Sequence, residues 1–186
     1  MRDMCTKLRE RLSCLAPATN AAWRDTLALR QLVQHEFQMH GHLSIGTFEA
    51  VLDWKLRKQR KRTEKHRNGI TADLIRQITL CFAQAKHEDE KTEREIKLNV
   101  LCALPGVGLG VASAILTLAY PEEYAIIDFR VWKLLYGVDK RTFTIGDYRK
   151  YLQDVRKIAS ELDCDAQEVD FLLWEEYDEM EGTQAP

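Results

Sequence analysis

The sequence lacks any apolar run that approaches the roughly 20 residues needed to span a membrane. Its charged start, Met1-Arg-Asp-Met-Cys-Thr-Lys, has no apolar stretch behind it. The pattern therefore predicts neither a membrane span nor a secretory leader, and we expect a cytoplasmic protein without a membrane partner. Strict alternation of apolar and polar residues is also scarce, as are β-branched runs, so there is little reason to expect β-strands.

Cysteine residues are few and widely separated. They form no C-x-x-C pair and no cluster with histidine at metal-ligand spacing; the five are Cys5, Cys14, Cys81, Cys102 and Cys164. Because free cysteine is usually buried, we expect reduced thiols in mostly buried helical positions. No structural metal site is predicted.

The chain also lacks an excess of positive charge. Its formal net charge is −2 and its pI is about 6.2, so composition alone does not indicate a nucleic-acid partner. The charges are unevenly spread, because residues 161–181 are dominated by acids while one short stretch carries Lys55, Arg57, Lys58, Arg60, Lys61, Arg62, Lys65 and Arg67. Salt screens charges beyond about 8 Å, so such a stretch can still present a basic face to phosphates.

Helical periodicity is what the sequence has in abundance. Between residues 20 and 39, for example, the apolar side chains recur at the 3.6-residue period of an amphipathic helix. Asn68-Gly69 predicts a turn, and Thr71 predicts the cap of the next helix. A chain of 186 residues with 45% apolar content can bury a core, so we predict an all-α fold in a single folding unit, with a frayed tail at residues 182–186.

The most specific stretch is Leu101-Cys-Ala-Leu-Pro-Gly-Val-Gly-Leu-Gly-Val-Ala-Ser-Ala-Ile-Leu. It predicts two helices joined by a tight turn at Pro105-Gly-Val-Gly108, in which glycine permits the backbone conformation and close approach of a partner. Backbone N–H groups at such a turn and at the following helix start can bind phosphate. The alternative is an ordinary helical corner that binds nothing.

A second motif follows, Ala125-Ile-Ile-Asp128, at the head of a helix predicted over 129–136. The two motifs together resemble those of the helix-hairpin-helix DNA glycosylases (the HhH-GPD superfamily), in which L-P-G-(V/I)-G-x-x-x-A precedes a hydrophobic-hydrophobic-Asp. Their type, order and spacing agree without a gap over about residues 93–136. The resemblance implies a two-lobed helical fold with a central cleft: one lobe at 24–128, which contains the hairpin at about 93–119, and one built from 1–23 plus 129–186.

The resemblance also implies a function: hydrolysis of the N-glycosidic bond of a damaged or modified base that is flipped out of double-stranded DNA. Asp128 would stabilise the oxocarbenium-like state and activate water, leaving an abasic site. The hairpin would hold the DNA backbone through Pro105, Gly106, Val107, Gly108 and Gly110. No organic cofactor is implied, although hairpin carbonyls of this family can bind a monovalent cation. We expect the protein to act as a monomer.

Three departures from the family refine these expectations. Gly110 occupies the position at which relatives that also cut the backbone carry a lysine nucleophile, so a monofunctional enzyme is implied; Lys55 or Lys97 remains an alternative amine. Only Cys164 follows Asp128, so no iron-sulphur cluster is expected. The wedge loop of the family has no match in this chain. By position, the candidates for filling the gap left by the flipped base and for gripping that base are Trp54, Lys55 and Arg57.

Several alternatives stay open on the sequence alone. Asp is a favoured N-cap, so Asp128 can serve as a helix cap as well as a catalytic group. Trp54 can belong to the core, with the basic stretch a solvated loop. The chain as a whole can be a non-catalytic helix-hairpin-helix DNA-binding protein, or a helical bundle that binds other proteins. The sequence does not indicate which base is removed.

Overall fold

The computed structural model describes residues 2–57 and 59–183, and it confirms the all-α fold. These residues contain ten α-helices, one 3₁₀ helix (Glu64–Arg67) and no strand. The α-helices are α1 Arg2–Ser13, α2 Ala21–His40, α3 Ile45–Leu56, α4 Gln59–Thr63, α5 Ala72–Gln84, α6 Glu90–Cys102, α7 Leu109–Ala119, α8 Phe129–Tyr136, α9 Ile145–Leu162 and α10 Ala166–Thr183. None of the helices in this described part is long and apolar enough to cross a membrane.

Helix starts follow from short polar side chains that satisfy otherwise unbonded amides. The predicted cap at Thr71 is confirmed, since its side chain accepts from the N–H of Leu74 at 3.2 Å. Ser44 caps α3 in the same way. Thr144 and Asp147 form a reciprocal capping box at the start of α9. Each cap fixes where a helix begins and so where the preceding loop ends.

The chain terminus differs from the prediction. Residues 182 and 183 belong to α10, so the prediction of a frayed tail is wrong for these two residues. The helix continues beyond its last buried apolar residues. The remainder of the predicted tail, residues 184–186, lies outside the described residues, as does Lys58 of the basic stretch.

All five cysteines are free thiols, but their predicted burial is wrong. Cys14 and Cys81 are exposed and the other three are half-buried. Cys81 lies on α5, whose buried positions are Ile75, Thr79 and Phe82, so its place in the helix directs it away from the core. Cys14 and Cys164 lie outside the helices. Helical phase and loop position, rather than residue type, therefore decide the exposure of these thiols.

The chain divides into two compact units. The central unit is Leu27–Ala119, and the terminal unit is Met1–Thr26 together with Tyr120–Pro186. The lobes predicted from sequence had their limits at 23/24 and 128/129, which placed Asp128 in the lobe of the hairpin. In the structure Asp128 lies in the terminal unit. The cleft between lobes and the single folding unit stay predictions.

In the central unit, α7 is the most deeply buried helix. Every residue from Val111 to Leu118 is buried, because small side chains let neighbouring helices approach it closely. Both α3 and α6 pack against α7, and α5 packs against α3 and α6. The core is completed by large side chains that are fully buried on these neighbours, among them Phe48, Ile75, Phe82, Leu98 and Leu101. The hairpin at the start of α7 is therefore held on a rigid base.

The terminal unit is built around α10, which packs against α1, α8 and α9. Trp23 and Phe171 contribute a ring contact with centroids 4.8 Å apart. Ion pairs reinforce the packing of α1, since Arg11 binds Glu175, Glu176 and Glu179 of α10. The acids of residues 161–181 are thus partly neutralised within the unit.

Candidate functional site

The predicted hairpin is present at the junction of α6 and α7. Residues 103–108 make the turn, with the N–H of Val107 bonded to the carbonyl of Leu104 at 3.1 Å. The carbonyl of Gly108 accepts from Val111 and Ala112, each at 3.0 Å, and so starts α7. The first amides of a helix have no intrahelical acceptor. The start of α7 therefore offers N–H donors of the kind that bind an anion.

The two glycines of the turn are required for different reasons. Gly106 has φ +70°, a conformation that other residues adopt with strain. A Cβ at Gly106 would also lie 2.7 Å from the backbone carbonyl oxygen of His66. Gly108, in contrast, has no positive φ, and a Cβ there would meet nothing within 4 Å. Packing explains the glycine at 106, whereas the space in front of Gly108 is open.

The contact at Gly106 places part of the basic stretch beside the hairpin. The atoms nearest to a Cβ placed at position 106 belong to His66 and Arg67, at the end of the 3₁₀ helix. Arg67 is tied down by bonds to Thr63 and to the carbonyl of Arg60, while Lys65 and His66 are exposed. The turn thus carries a basic border that the sequence did not predict, because close backbone contacts between distant segments leave no local signal.

Not every basic residue of the stretch is available to a ligand. Arg60 forms ion pairs with Glu49 and Asp53 of α3 and bonds to the carbonyl of Glu49. It fastens α4 to α3 and is a structural residue. Lys61 is exposed. The stretch is therefore part scaffold and part surface.

The three wedge candidates lie at the end of α3. Trp54 and Lys55 are half-buried in its last turn, and Arg57 is the exposed residue that follows it. Arg57 has φ +46° and ψ −124°, with its N–H bonded to the carbonyl of Asp53, an unusual conformation for a residue with a side chain. The three lie in the same unit as the hairpin. Their tasks at a flipped base remain a prediction.

Lys97, one of the alternative amines, is a buried residue of α6. It is 3% exposed, and its Nζ lies 2.5 Å from a carboxylate oxygen of Glu93, one helical turn earlier. This bond is the main reason that the pKa of Glu93 falls to about 2. A buried ammonium held in this way cannot reach a sugar carbon, so Lys55 is the remaining alternative of the two.

Asp128 is the N-cap of α8. Its Oδ1 accepts from the N–H of Arg130 at 3.0 Å, and its backbone is extended, with φ −138° and ψ 148°. The residue is half-exposed, in contrast to Ala125, Ile126 and Ile127 before it, which are buried. The cap predicted as an alternative is therefore present. A carboxylate that is bonded to the backbone on one side and half-exposed has a fixed orientation.

The segment that leads to Asp128 is held by α9 and α10. Tyr148 donates to the carbonyl of Ala125 at 3.1 Å and Arg156 to that of Glu123 at 2.6 Å. At the start of α10, the N–H of Gln167 donates to the carbonyl of Pro121 at 3.0 Å. These bonds come from residues up to 46 positions away in sequence, which is why no local pattern predicted them.

A buried polar pair lies in the same unit. The hydroxyl of Tyr151 donates to the carboxylate of Asp170, and both residues are buried. Burial raises the pKa of Tyr151 well above its ordinary value, and the negative charges of Asp170 and Asp128 raise it further. Tyr151 therefore stays protonated and remains a hydrogen-bond donor at any physiological pH.

Among residues 2–57 and 59–183, the structure has no group of three or more His, Cys, Asp or Glu side chains that could hold a metal ion. The hairpin turn at 103–108 contains no acidic residue. Its Leu104 and Gly108 carbonyls accept N–H bonds, and a monovalent cation bound through hairpin carbonyls stays a prediction.

Comparison with known proteins identifies no relative: no protein-family model, no curated protein and no solved structure matches the chain. The function is therefore inferred from the residues and their geometry.

Proposed function

We propose that this protein is a monofunctional DNA glycosylase, which hydrolyses the N-glycosidic bond of a damaged or modified base and leaves an abasic site. The observation that carries the proposal is the hairpin turn. Position 106 requires glycine because of its positive φ and because a Cβ there would clash with His66, while Gly108 stands in open space at the start of α7 with no structural requirement for glycine. A glycine with open space in front of it, next to the first amides of a helix and to the basic residues 65–67, leaves room for a phosphate of a DNA backbone.

The chemistry is assigned to Asp128. As the base departs, positive charge develops on the sugar, and a carboxylate held in place stabilises that charge without reorganising. The bond from the N–H of Arg130 and the buried residues before Asp128 support such a fixed carboxylate. Asp128 would also accept a proton from the attacking water. The hydroxyl formed from that water ends on the sugar carbon, and the base leaves with the bonding electron pair and is protonated.

Water is the proposed nucleophile because neither the family's lysine position nor Lys97 supplies an amine; Lys55 is the alternative that the borohydride experiment tests. The position of the family's lysine is Gly110, which has no side chain to donate an amine. Lys97 is buried and paired with Glu93. A reaction by water leaves the DNA strand intact until alkali cleaves it at the abasic site.

The test is a survey of released bases. The purified protein is incubated with duplexes that carry oxidised, alkylated, deaminated or mismatched bases, and with hypermodified phage DNA. Free bases are identified by mass spectrometry, and strand breaks are measured before and after hot alkali. We expect one class of base to be released, with breaks that appear only after alkali. Release of no base from any substrate, by a protein that binds these duplexes, would refute the proposal.

The second candidate is a DNA-binding protein without catalysis. The observation that favours it is the cap at α8, because capping alone is a sufficient reason for an Asp at position 128. The same survey distinguishes the two functions, since this candidate predicts salt-sensitive duplex binding without base release.

A further inference from the structure

Positive charge is concentrated in one stretch of the terminal unit, residues 129–160. This stretch contains eight lysines and arginines against three aspartates, a net charge of +5 in a chain whose net charge is −2. Residues 161–181, which follow, contain ten acids and no basic residue. Net charge over the whole chain therefore conceals a strongly basic segment.

Besides Arg156, which lies over Tyr124, five cations of this segment lie over aromatic rings, within the range of cation–π contacts. We call them the α8 cation face, because the rings belong to α8 or to α10 beside it. The distances from the cationic group to the ring centroid are 3.9 Å for Lys150 over Tyr136, 5.3 Å for Lys140 over Trp132, 4.8 Å and 5.3 Å for Arg141 and Arg130 over Phe129, and 5.6 Å for Lys133 over Tyr177.

The cations cover the rings, so the face offers charge rather than a surface for stacking. Lys140 is held by Asp147 at 2.6 Å. Arg141 is paired with Asp139 only at 3.5 Å, in an exposed contact with its own side chain 70% exposed. Lys150 is exposed, and no carboxylate pairs with it among the described side chains. Lys150 and Arg141 are thus cations that are held on rings yet open to solvent.

We propose that the α8 cation face binds backbone phosphates of duplex DNA beside the reacting nucleotide; this inference rests on the proposed function. The face belongs to the helix that Asp128 caps, so both lie in one unit. A helix of 8 residues is about 12 Å long, which matches the rise of three to four base steps. Cations already ordered on rings lose less freedom when they bind phosphate.

The test compares two double variants that remove the same charge. Lys150→Gln with Arg141→Gln removes two cations of the face. Lys86→Gln with Lys91→Gln removes two exposed lysines from an acidic stretch around α6. Binding to a fluorescent duplex is measured by anisotropy between low and moderate salt, after circular dichroism and thermal melting show that each variant is folded. Lys150→Arg with Arg141→Lys keeps both charges and tests for rescue.

We expect the face variant to bind on the order of tenfold more weakly at about 0.1 M salt, with a salt slope shallower by about 2, one for each lost phosphate contact. The control and the charge-retaining variant should bind like the wild type. Equal binding by the face variant and the control would overturn the inference and leave the proposed function standing. If the wild type binds no duplex, both fail.

Two further measurements identify a different occupant. Vesicles that contain anionic lipid test for a membrane surface, and light scattering over a range of concentrations tests for self-association with the acidic residues of a second copy. Loss of either interaction in the face variant, without any loss of duplex binding, would overturn the assignment to DNA.

Discussion

The substitution of Asp128 separates a catalytic carboxylate from a helix cap. Asparagine keeps the shape and, as an equally favoured N-cap, can keep the bond from the N–H of Arg130. It loses only the interaction of a negative charge with the start of α8, about 0.3–1 kcal/mol. Alanine loses both the capping hydrogen bond and the charge interaction, which together contribute about 1–2 kcal/mol. In a chain of this size 1 kcal/mol corresponds to about 2–4 °C in Tm.

The two variants should differ in stability but not in their loss of activity. If the carboxylate stabilises charge in the transition state, Asp128→Asn and Asp128→Ala should both lose at least about a hundredfold in rate, the magnitude found for a single preorganised electrostatic group. Asparagine should not weaken DNA binding and can improve it, since it removes an anion near phosphates. The readouts are thermal melting, duplex anisotropy and single-turnover base release followed by alkali.

The variant that distinguishes a catalytic role from a capping role is therefore Asp128→Asn. A rate within about threefold of the wild type would refute the catalytic role and leave only the cap. A melting temperature as low as that of the alanine variant would instead show that asparagine fails as a cap, and Asp128→Ser, with another favoured capping residue, would then supply the stable variant for the rate measurement.

Four further predictions test other parts of the molecule. Gly108→Asn places a good capping residue in open space, so the protein should melt no lower than the wild type yet lose duplex binding; binding at wild-type strength would make the hairpin a structural corner. Gly106→Ala should lower stability by about 1–3 kcal/mol, because of its φ of +70° and the clash with His66, and an unchanged urea midpoint would contradict this. Glu93→Gln should cost about 1–3 kcal/mol at neutral pH, because it removes the carboxylate that pairs with a buried ammonium. Since the pKa of Glu93 is lowered to about 2, its contribution is complete above about pH 4.5 and is lost as the pH falls through 2, so the curves of variant and wild type should converge there, with Glu88→Gln as the exposed control. Borohydride should trap no covalent DNA adduct with the wild type; a good yield would show that a lysine acts as nucleophile.

The helices could be predicted from sequence because their signals are local. Thr71 and Asp128 cap the helices that periodicity predicts, and the hairpin lies where its proline and glycines indicate. Such features depend on contacts between residues three or four apart, which a sequence displays directly.

The surroundings of the site could not be predicted, because they depend on contacts between distant residues. The approach of His66 to Gly106 joins positions 40 apart. The support of residues 121–127 comes from α9 and α10. The burial of Lys97 and the exposure of Cys81 follow from which side of a helix faces the core, and the α8 cation face requires α9 and the preceding loop to fold back over α8.

The bonds that hold residues 121–127 have a consequence for how the chain can be divided. Residues 93–136 contain every motif residue of the hairpin and Asp128, yet Tyr148, Arg156 and Gln167, which hold the approach to Asp128, all lie after that range. A fragment limited to the motifs would retain the chemical groups and lose their alignment. Under the proposed function, the smallest active fragment should therefore extend into α10, although α10 contributes no residue to the hairpin motif or to the Asp128 motif.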